Sequence, residues 1–382
     1  MQISEYIKNS EFINNFFKFE EIFIKDLTNG INEVYLLENK NKDIQAILKR
    51  ALPYFKQYGP EHPLNQSRIL FEVKALGIFK ENNKRFVPDV YFVDKDESLI
   101  LIEYIKGKVS LNEFLQRGII NQNFSEQIST FLSNNFVKTS TFGIKENEKE
   151  NFISTFLANN EMKEMSVQFI FTDLINRYKS LLPSNKKTNE LFTDMNSQNY
   201  ILLDNIENLK NKFIMQKECL IHGDLKGASI LLNDEDIYII DYEFSNYGPI
   251  SYELSSLIYV FVSLIINYDL GKCNKEYISW MIVTIEEIWY KFKEKSSLLS
   301  SETNEEFFNN LLKDTVGFMG VQMLSMMIPH VVPFNSNNIK IENEEIYYKK
   351  IGLIGKLFIN NQKSFNSIDQ VIKVLKSHLQ YY

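Results

Sequence analysis

Apolar and polar positions change period along this chain of 382 residues. Residues 1–20 alternate apolar and charged groups at helical spacing. From Ile22 the pattern becomes strand-like in "IFIKDLTNGINEVYLLEN", and the Asn29-Gly30 pair predicts a hairpin turn between two strands. "IQAILKR" reads as a third strand. Residues 63–79 predict a helix, with Leu64, Ile69, Val73 and Leu76 on one face. "DVYFVD" and "SLILIEYI" give two more strands around a turn from Asp94 to Glu97. The opening third therefore predicts a small antiparallel sheet with one helix.

Beyond Gly107 the period shifts to 3.6 residues. "SLNEFLQRGI", "QISTFLSNNFVKTS", "QFIFTDLINRYKSLL" and "NYILLDNIENLKNKFIM" each carry it, as do segments near 252–267, 276–294, 303–328 and 365–381. Polar stretches at 142–151, 294–305 and 334–345 read as loops. One β-rich island interrupts the helices: "CLIHGDLKGASILLNDEDIYIIDYEFSNYGP", residues 219–249. The expected class is α+β in two lobes, a sheet-based lobe over 1–105 and a mostly helical lobe over 106–382. The length suits two lobes better than one core.

The island also carries candidate chemistry. Residues 230–232 and 237–240 read as short strands around the turn "NDED". Antiparallel pairing would bring Ser229 beside Asp241 and gather Asp224, Asp241 and Glu243 at one edge. Carboxylates so placed repel unless a positive charge lies among them. Hard oxygen donors with open positions suit Mg²⁺, which completes its shell with phosphate oxygens and water. A single Asp here would read as an exposed turn residue, as "NDED" does. The combination His-Gly-Asp, hairpin and Ile-Asp-x-Glu points instead to a site.

Composition narrows the alternatives. Apolar residues make up 44% and charged residues 24%, as in globular enzymes. The net charge of −7 disfavours a nucleic-acid partner. Two cysteines and four histidines build neither a disulfide framework nor a zinc site. "MQISEYIKNSEF" lacks the apolar core of a signal peptide. The apolar run 254–266 is short for a bilayer and contains serines, which predicts a buried helix and no membrane association. The expectation is a cytoplasmic protein.

"HGDLKGASILL" followed by "IIDYEF" resembles the catalytic and metal loops of the aminoglycoside phosphotransferase and choline kinase superfamily, whose fold is protein-kinase-like. It is most similar to the 5-methylthioribose kinases. Their His-Gly-Asp-Leu-x-x-Gly-Ser-Ile is met at 222–230, with Ala228 in the glycine place. Their Ile-Asp-Pro-Glu-Phe-x-x-Tyr-Gly-Pro is met at 240–249, with Tyr242 in the proline place. "AILKRALPYFKQYGPEHPLNQSRILFE" (46–72) and "DTVGFMGVQML" (314–324) resemble further family segments in the same order.

The resemblance implies ATP and Mg²⁺ as cofactors and transfer of the γ-phosphoryl group to a hydroxyl. Lys49 would hold the nucleotide phosphates and pair with Glu72. "LTNGIN", with Asn29, Gly30 and Asn32, would lie over the phosphates, although Leu27 and Asn29 replace family glycines. The backbone at Glu103 and Ile105, in the linker "IEYI", would meet adenine. Asp224 would accept or orient the proton of the attacking hydroxyl, while Asp241, Glu243 and Ser229 would hold the metal. His222 reads as a hydrogen-bonded structural residue rather than a proton carrier.

The resemblance breaks at the acceptor. The family carries two adjacent arginines after its Met-Ile. Here Met323-Leu324 is followed by Ser325 and Met326, which supply no donor fork. Lys226, beside the catalytic loop, is a further candidate contact to the acceptor or γ-phosphate. A small sugar-like acceptor is the first expectation; a Ser or Thr of a peptide and a non-catalytic nucleotide-binding role are the alternatives. The resembling family is often dimeric, which favours a homodimer.

Overall fold

The computed structural model of the chain describes all residues except 1, 29, 57, 58, 181–192, 273 and 329–340, together with the backbone but not the side chains of 193–198. The chain divides into two compact units, Met1–Lys108 with Tyr238–Glu243, and Val109–Ile237 with Phe244–Tyr382.

The first unit starts with α1 (Ile3–Asn9) and α2 (Glu11–Phe16), followed by strands β1 (Ile22–Asp26), β2 (Glu33–Asn39) and β3 (Gln45–Arg50). Helix α3 (Arg68–Asn82) precedes β4 (Val90–Asp94) and β5 (Leu99–Glu103). The strands form one antiparallel sheet in the order β1-β2-β3-β5-β4. Successive strand residues face opposite sides. Tyr35, Leu37, Ala46, Leu48, Leu99 and Leu101 thus share a face, and Tyr6, Ile7, Ile13 and Phe17 of the N-terminal helical region cover it. Lys49, in register with Val34 and Ile100, points the other way.

Two readings of this region need correction. The helix expected at 63–79 begins at Arg68, because Pro63 makes a bridge with Tyr54 and the chain turns before Ser67. Six residues, not a two-residue turn, join β1 to β2. Asp26 accepts the Thr28 amide at 2.8 Å, and the Leu27 amide donates to the Val34 carbonyl at 2.8 Å, carrying the pairing one residue past β1; Asn29 lies outside the described residues.

The second unit opens with β6 (Val109–Ser110), α4 (Leu111–Gln116), α5 (Phe124–Thr139), α6 (Glu146–Leu157), α7 (Asn160–Ser166), a π-helical turn (Val167–Thr172), α8 (Asp173–Ser180) and α9 (Thr193–Met215). β7 (Cys219–Ile221) and β8 (Ile230–Leu232) follow. The turn 233–236 is closed by the Asn233 amide on the Asp236 carbonyl at 3.2 Å, and β9 (Ile237–Ile239) runs out of it. A 3₁₀ turn, Tyr242–Phe244, leads to β10 (Asn246–Gly248), antiparallel to β7. Then come α10 (Ile250–Leu270), α11 (Lys275–Leu299), α12 (Glu305–Ser325), α13 (Glu344–Asn361) and α14 (Ile368–Ser377).

The polar stretch 142–151 is no simple loop, because α6 starts at Glu146 with Glu146 and Glu148 in the first turn, where acidic groups suit the helix dipole. α13 was not expected either, although Tyr347, Ile351, Ile354 and Phe358 form its buried stripe. α10 has 21 residues and is apolar enough to cross a bilayer, so the argument from length fails. Its most apolar window is nevertheless 94% buried within the protein, which makes it the core helix expected on other grounds. Cys219 is buried and free; Cys273 lies outside the described residues.

Candidate active site

In the first unit the site is built around Lys49. The alternation of β3 aims its side chain at α3, where its Nζ donates to Glu72 Oε1 at 2.9 Å. The segment Tyr238–Glu243 supplies two further carboxylates. The Ile239 amide ties this segment to the Phe86 carbonyl at 2.7 Å, and the Tyr242 ring packs against Phe79 with centroids 4.8 Å apart. An aromatic ring thus fills the position where the family has proline. Asp241, in a left-handed conformation with φ +75°, forms an ion pair with Lys49, and Glu243 Oε2 stands 3.9 Å from the same ammonium. Left-handed backbone is uncommon for non-glycine residues and concentrates at functional sites.

Lys49 is 4% exposed. Burial alone would lower its pKa; Asp241, then Glu243 and Glu72, outweigh that and hold the ammonium well above the ordinary lysine value. Three carboxylates against one ammonium leave negative charge in excess. Burial raises Glu72, with Lys49 partly offsetting it. Glu243 is pushed up to about 7, first by burial, with Asp241 and Glu72 adding to the shift. Among the described residues no group of three or more His, Cys, Asp and Glu makes a ready metal cage. The donor set nonetheless fits a divalent cation, since Asp241 is half-exposed and two acidic groups share an incompletely neutralised pocket.

Asn32 is buried, not splayed over a phosphate. Its Nδ2 donates to Glu243 and its Oδ1 accepts from Arg68 Nε at 2.9 Å. Arg68, buried and also bonded through Nη1 to the Leu52 and Asn65 carbonyls at 2.9 Å, is a residue that sequence reasoning missed. Its signal was a cation four residues before Glu72 on the same helix face. Gly30 adopts φ +145°, a conformation open mainly to glycine, and a Cβ there would meet nothing within 4 Å. The Glu103 amide is engaged by the Asp89 carbonyl at 2.8 Å, so an adenine contact at Glu103 falls to its carbonyl; Ile105 is buried.

The second unit carries its own candidate residues. β7 runs into His222-Gly223-Asp224. The His222 and Gly223 amides donate to the two oxygens of Glu253, at 2.6 and 3.0 Å, and the Asp224 amide donates to His222 Nδ1 at 3.2 Å. His222 is fully buried, consistent with a structural role. Gly223 has φ +82°, and a Cβ there would lie 2.3 Å from the Phe244 carbonyl oxygen, so this place requires glycine. Glu253 was also missed; its signal is a lone carboxylate opening the most apolar helix of the chain. Burial pushes it up to about 7, against the lowering effect of its two amide donors.

Ser229 is buried and donates to the Asp224 carbonyl at 2.9 Å. Lys226 Nζ lies 2.8 Å from Asp224 Oδ2. Asp224, Lys226, Ser325 and Met326 line one cavity together with Tyr252 and Gln322. Met326 Sδ receives the Tyr259 hydroxyl, and Ser325 Oγ donates back to the Gln322 carbonyl at 3.0 Å. The three expected acceptor contacts are therefore brought to one place with the expected base.

The α+β architecture, the buried Lys49–Glu72 pair and the Asp224 loop are those of a protein-kinase-like phosphotransferase. A solved ethanolamine kinase from Plasmodium vivax shares the fold, with a TM-score of 0.51 at 15% identity over 92% of this chain and 86% of that one. The phosphotransferase enzyme family model matches residues 183–270. Methylthioribose kinase from Bacillus cereus is 30% identical over 361 residues, covering 91% of this chain and 88% of the relative. Methylthioribose kinase 2 from Oryza sativa subsp. japonica is 26% identical over 394 residues, covering 94% and 90%. The chain belongs to the methylthioribose kinase family, and it is a kinase.

Proposed function

We propose that the chain transfers the γ-phosphoryl group of ATP, in a Mg²⁺-dependent reaction, to a hydroxyl of a small sugar-like metabolite other than methylthioribose. The observation that carries this reading is the cavity in which Ser325 and Met326 stand beside Asp224 and Lys226.

Lys49, held by Glu72, is the cation for the nucleotide phosphates, and Gly30 leaves room for close backbone approach. Asp241 and Glu243 of the first unit would hold Mg²⁺. Such an ion would supply positive charge that offsets the charge of the phosphates. Asp224 accepts the proton of the attacking hydroxyl as the new O–P bond forms and the bond to the ADP oxygen breaks. Lys226, now on Asp224, is within reach of the same cavity and supplies charge to the transferring group.

The altered acceptor follows from the two positions where the resemblance places arginines. Ser325 spends its hydroxyl on its own helix and Met326 offers only a thioether. Losing an interaction with a charged donor costs about 1.5–3 kcal/mol, or roughly ten- to a hundredfold in affinity. The test is incubation with Mg-ATP and a panel of sugars, amino alcohols and peptides, read by mass for one added phosphoryl group. The expected result is transfer to a small polyol, with methylthioribose at least about tenfold poorer than the best acceptor. Transfer to peptides alone, or methylthioribose as the best substrate, would overturn the proposal.

A further inference from the structure

Asn32 is the last residue of the segment that joins β1 to β2, two places past Gly30. Arg68 opens α3, and both side chains are buried. They form a relay that ends on Glu243. Arg68 Nε donates to Asn32 Oδ1 at 2.9 Å, and Asn32 Nδ2 donates to Glu243 Oε2. The same Glu243 oxygen lies 3.9 Å from Lys49 Nζ.

The chemistry of the three groups fixes the direction of the relay. A guanidinium only donates and a carboxylate only accepts, so an amide between them has one orientation. The guanidinium is anchored apart from Asn32, by the Leu52 and Asn65 carbonyls at 2.9 Å. A donor on the amide oxygen polarises the amide and strengthens the bond that its NH₂ makes. Buried ionic chains of this kind add little net stability over apolar packing, so stability alone does not account for it. What the relay does achieve is a fixed contact between the Gly30 segment and one carboxylate of the Lys49 cluster.

We infer that Asn32, held by Arg68, is a positioning residue that couples the Gly30 segment to Glu243, so that nucleotide and Mg²⁺ tighten each other's binding. This rests on the proposed role of Asp241 and Glu243 in holding Mg²⁺. An ion that orders Glu243 also orders, through Asn32, the segment assigned to the phosphates. By linkage, the factor by which Mg²⁺ tightens the nucleotide equals the factor by which the nucleotide tightens Mg²⁺.

The test is calorimetric titration of the full chain with ATP, with and without Mg²⁺, read as the ratio of the two affinities. Asn32→Leu keeps a branched side chain without its polar atoms, Asn32→Ser is too short to bridge the two partners, and Arg68→Met removes the donor to the amide. In each variant that keeps a native circular dichroism spectrum, the ratio should fall at least about fivefold from the wild-type value. A merely structural role would lower both affinities together and leave the ratio unchanged. An unchanged ratio in the Asn32 variants, beside a clear Mg²⁺ effect in the wild type, would overturn the inference alone. No Mg²⁺ effect in the wild type would overturn the metal reading and the inference with it.

Discussion

Replacing Glu253 by Gln separates what this carboxylate does for stability from what it does for turnover. Glu253 accepts two catalytic-loop amides while buried, and its carboxyl is raised from an ordinary 4.5 to about 7, chiefly by desolvation. An acid raised on folding keeps its proton in the folded chain where the unfolded chain has lost it. Its stabilising contribution is therefore complete below 4.5 and gone above about 7. At 1.36 kcal/mol per pH unit this is worth about 3 kcal/mol. Gln cannot titrate. It keeps one acceptor and leaves one amide facing an NH₂ group, at a cost of about 1–3 kcal/mol. Urea titrations of both proteins from pH 5 to pH 8 should therefore show the variant gaining on the wild type by about 3 kcal/mol as pH rises. At pH 8 the two should be nearly equal in stability. Turnover should still fall by about 10- to 100-fold, because the loop that aims Asp224 loses one of its two amide anchors. The same pH slope in both proteins would refute the assignment of a buried titrating carboxyl, and unchanged turnover would refute its positioning role.

Three further substitutions probe other parts of the site. Lys49→Met leaves Glu72, Asp241 and Glu243 without their shared ammonium; a loss of about 3–5 kcal/mol at pH 8 is expected by chemical denaturation, partly restored by Mg²⁺, and a loss under about 1 kcal/mol would count against the cluster. Asp224→Asn should lower turnover by about 10²–10⁴ while nucleotide affinity, measured by calorimetry, stays within about twofold; wild-type turnover would remove Asp224 from the chemistry. Gly223→Ala forces a methyl to 2.3 Å from the Phe244 carbonyl at positive φ, so at least about 2 kcal/mol of stability should be lost, and a neutral result in thermal unfolding would show that the loop yields easily.

Much of this architecture is legible in the chain because the signals are local. The strand-like runs at Gln45–Arg50 and Leu99–Glu103 set the sheet, and the alternation of the first turns Lys49 toward α3. The His-Gly-Asp and Ile-Asp-x-Glu strings mark the two candidate segments. Arg68 and Glu253 were not legible, because each is defined by partners distant in sequence, Asn32 and the catalytic-loop amides. A buried charge looks like a surface charge until its contacts are known. α13 escaped for a different reason: Tyr, Lys and Asn dilute its apolar stripe, and tertiary packing rather than propensity holds it. Asn32 shows the converse. It was read as a phosphate-loop residue, and it instead bridges Arg68 to Glu243 inside the first unit.

The most direct test of the account is calorimetric titration of the purified chain with ATP, with and without Mg²⁺, and of Asp241→Asn in parallel. The account requires one nucleotide per chain, bound more tightly with Mg²⁺, and loss of that Mg²⁺ dependence in the variant. No heat of binding under either condition, or an Asp241→Asn protein that still responds fully to Mg²⁺, would contradict it.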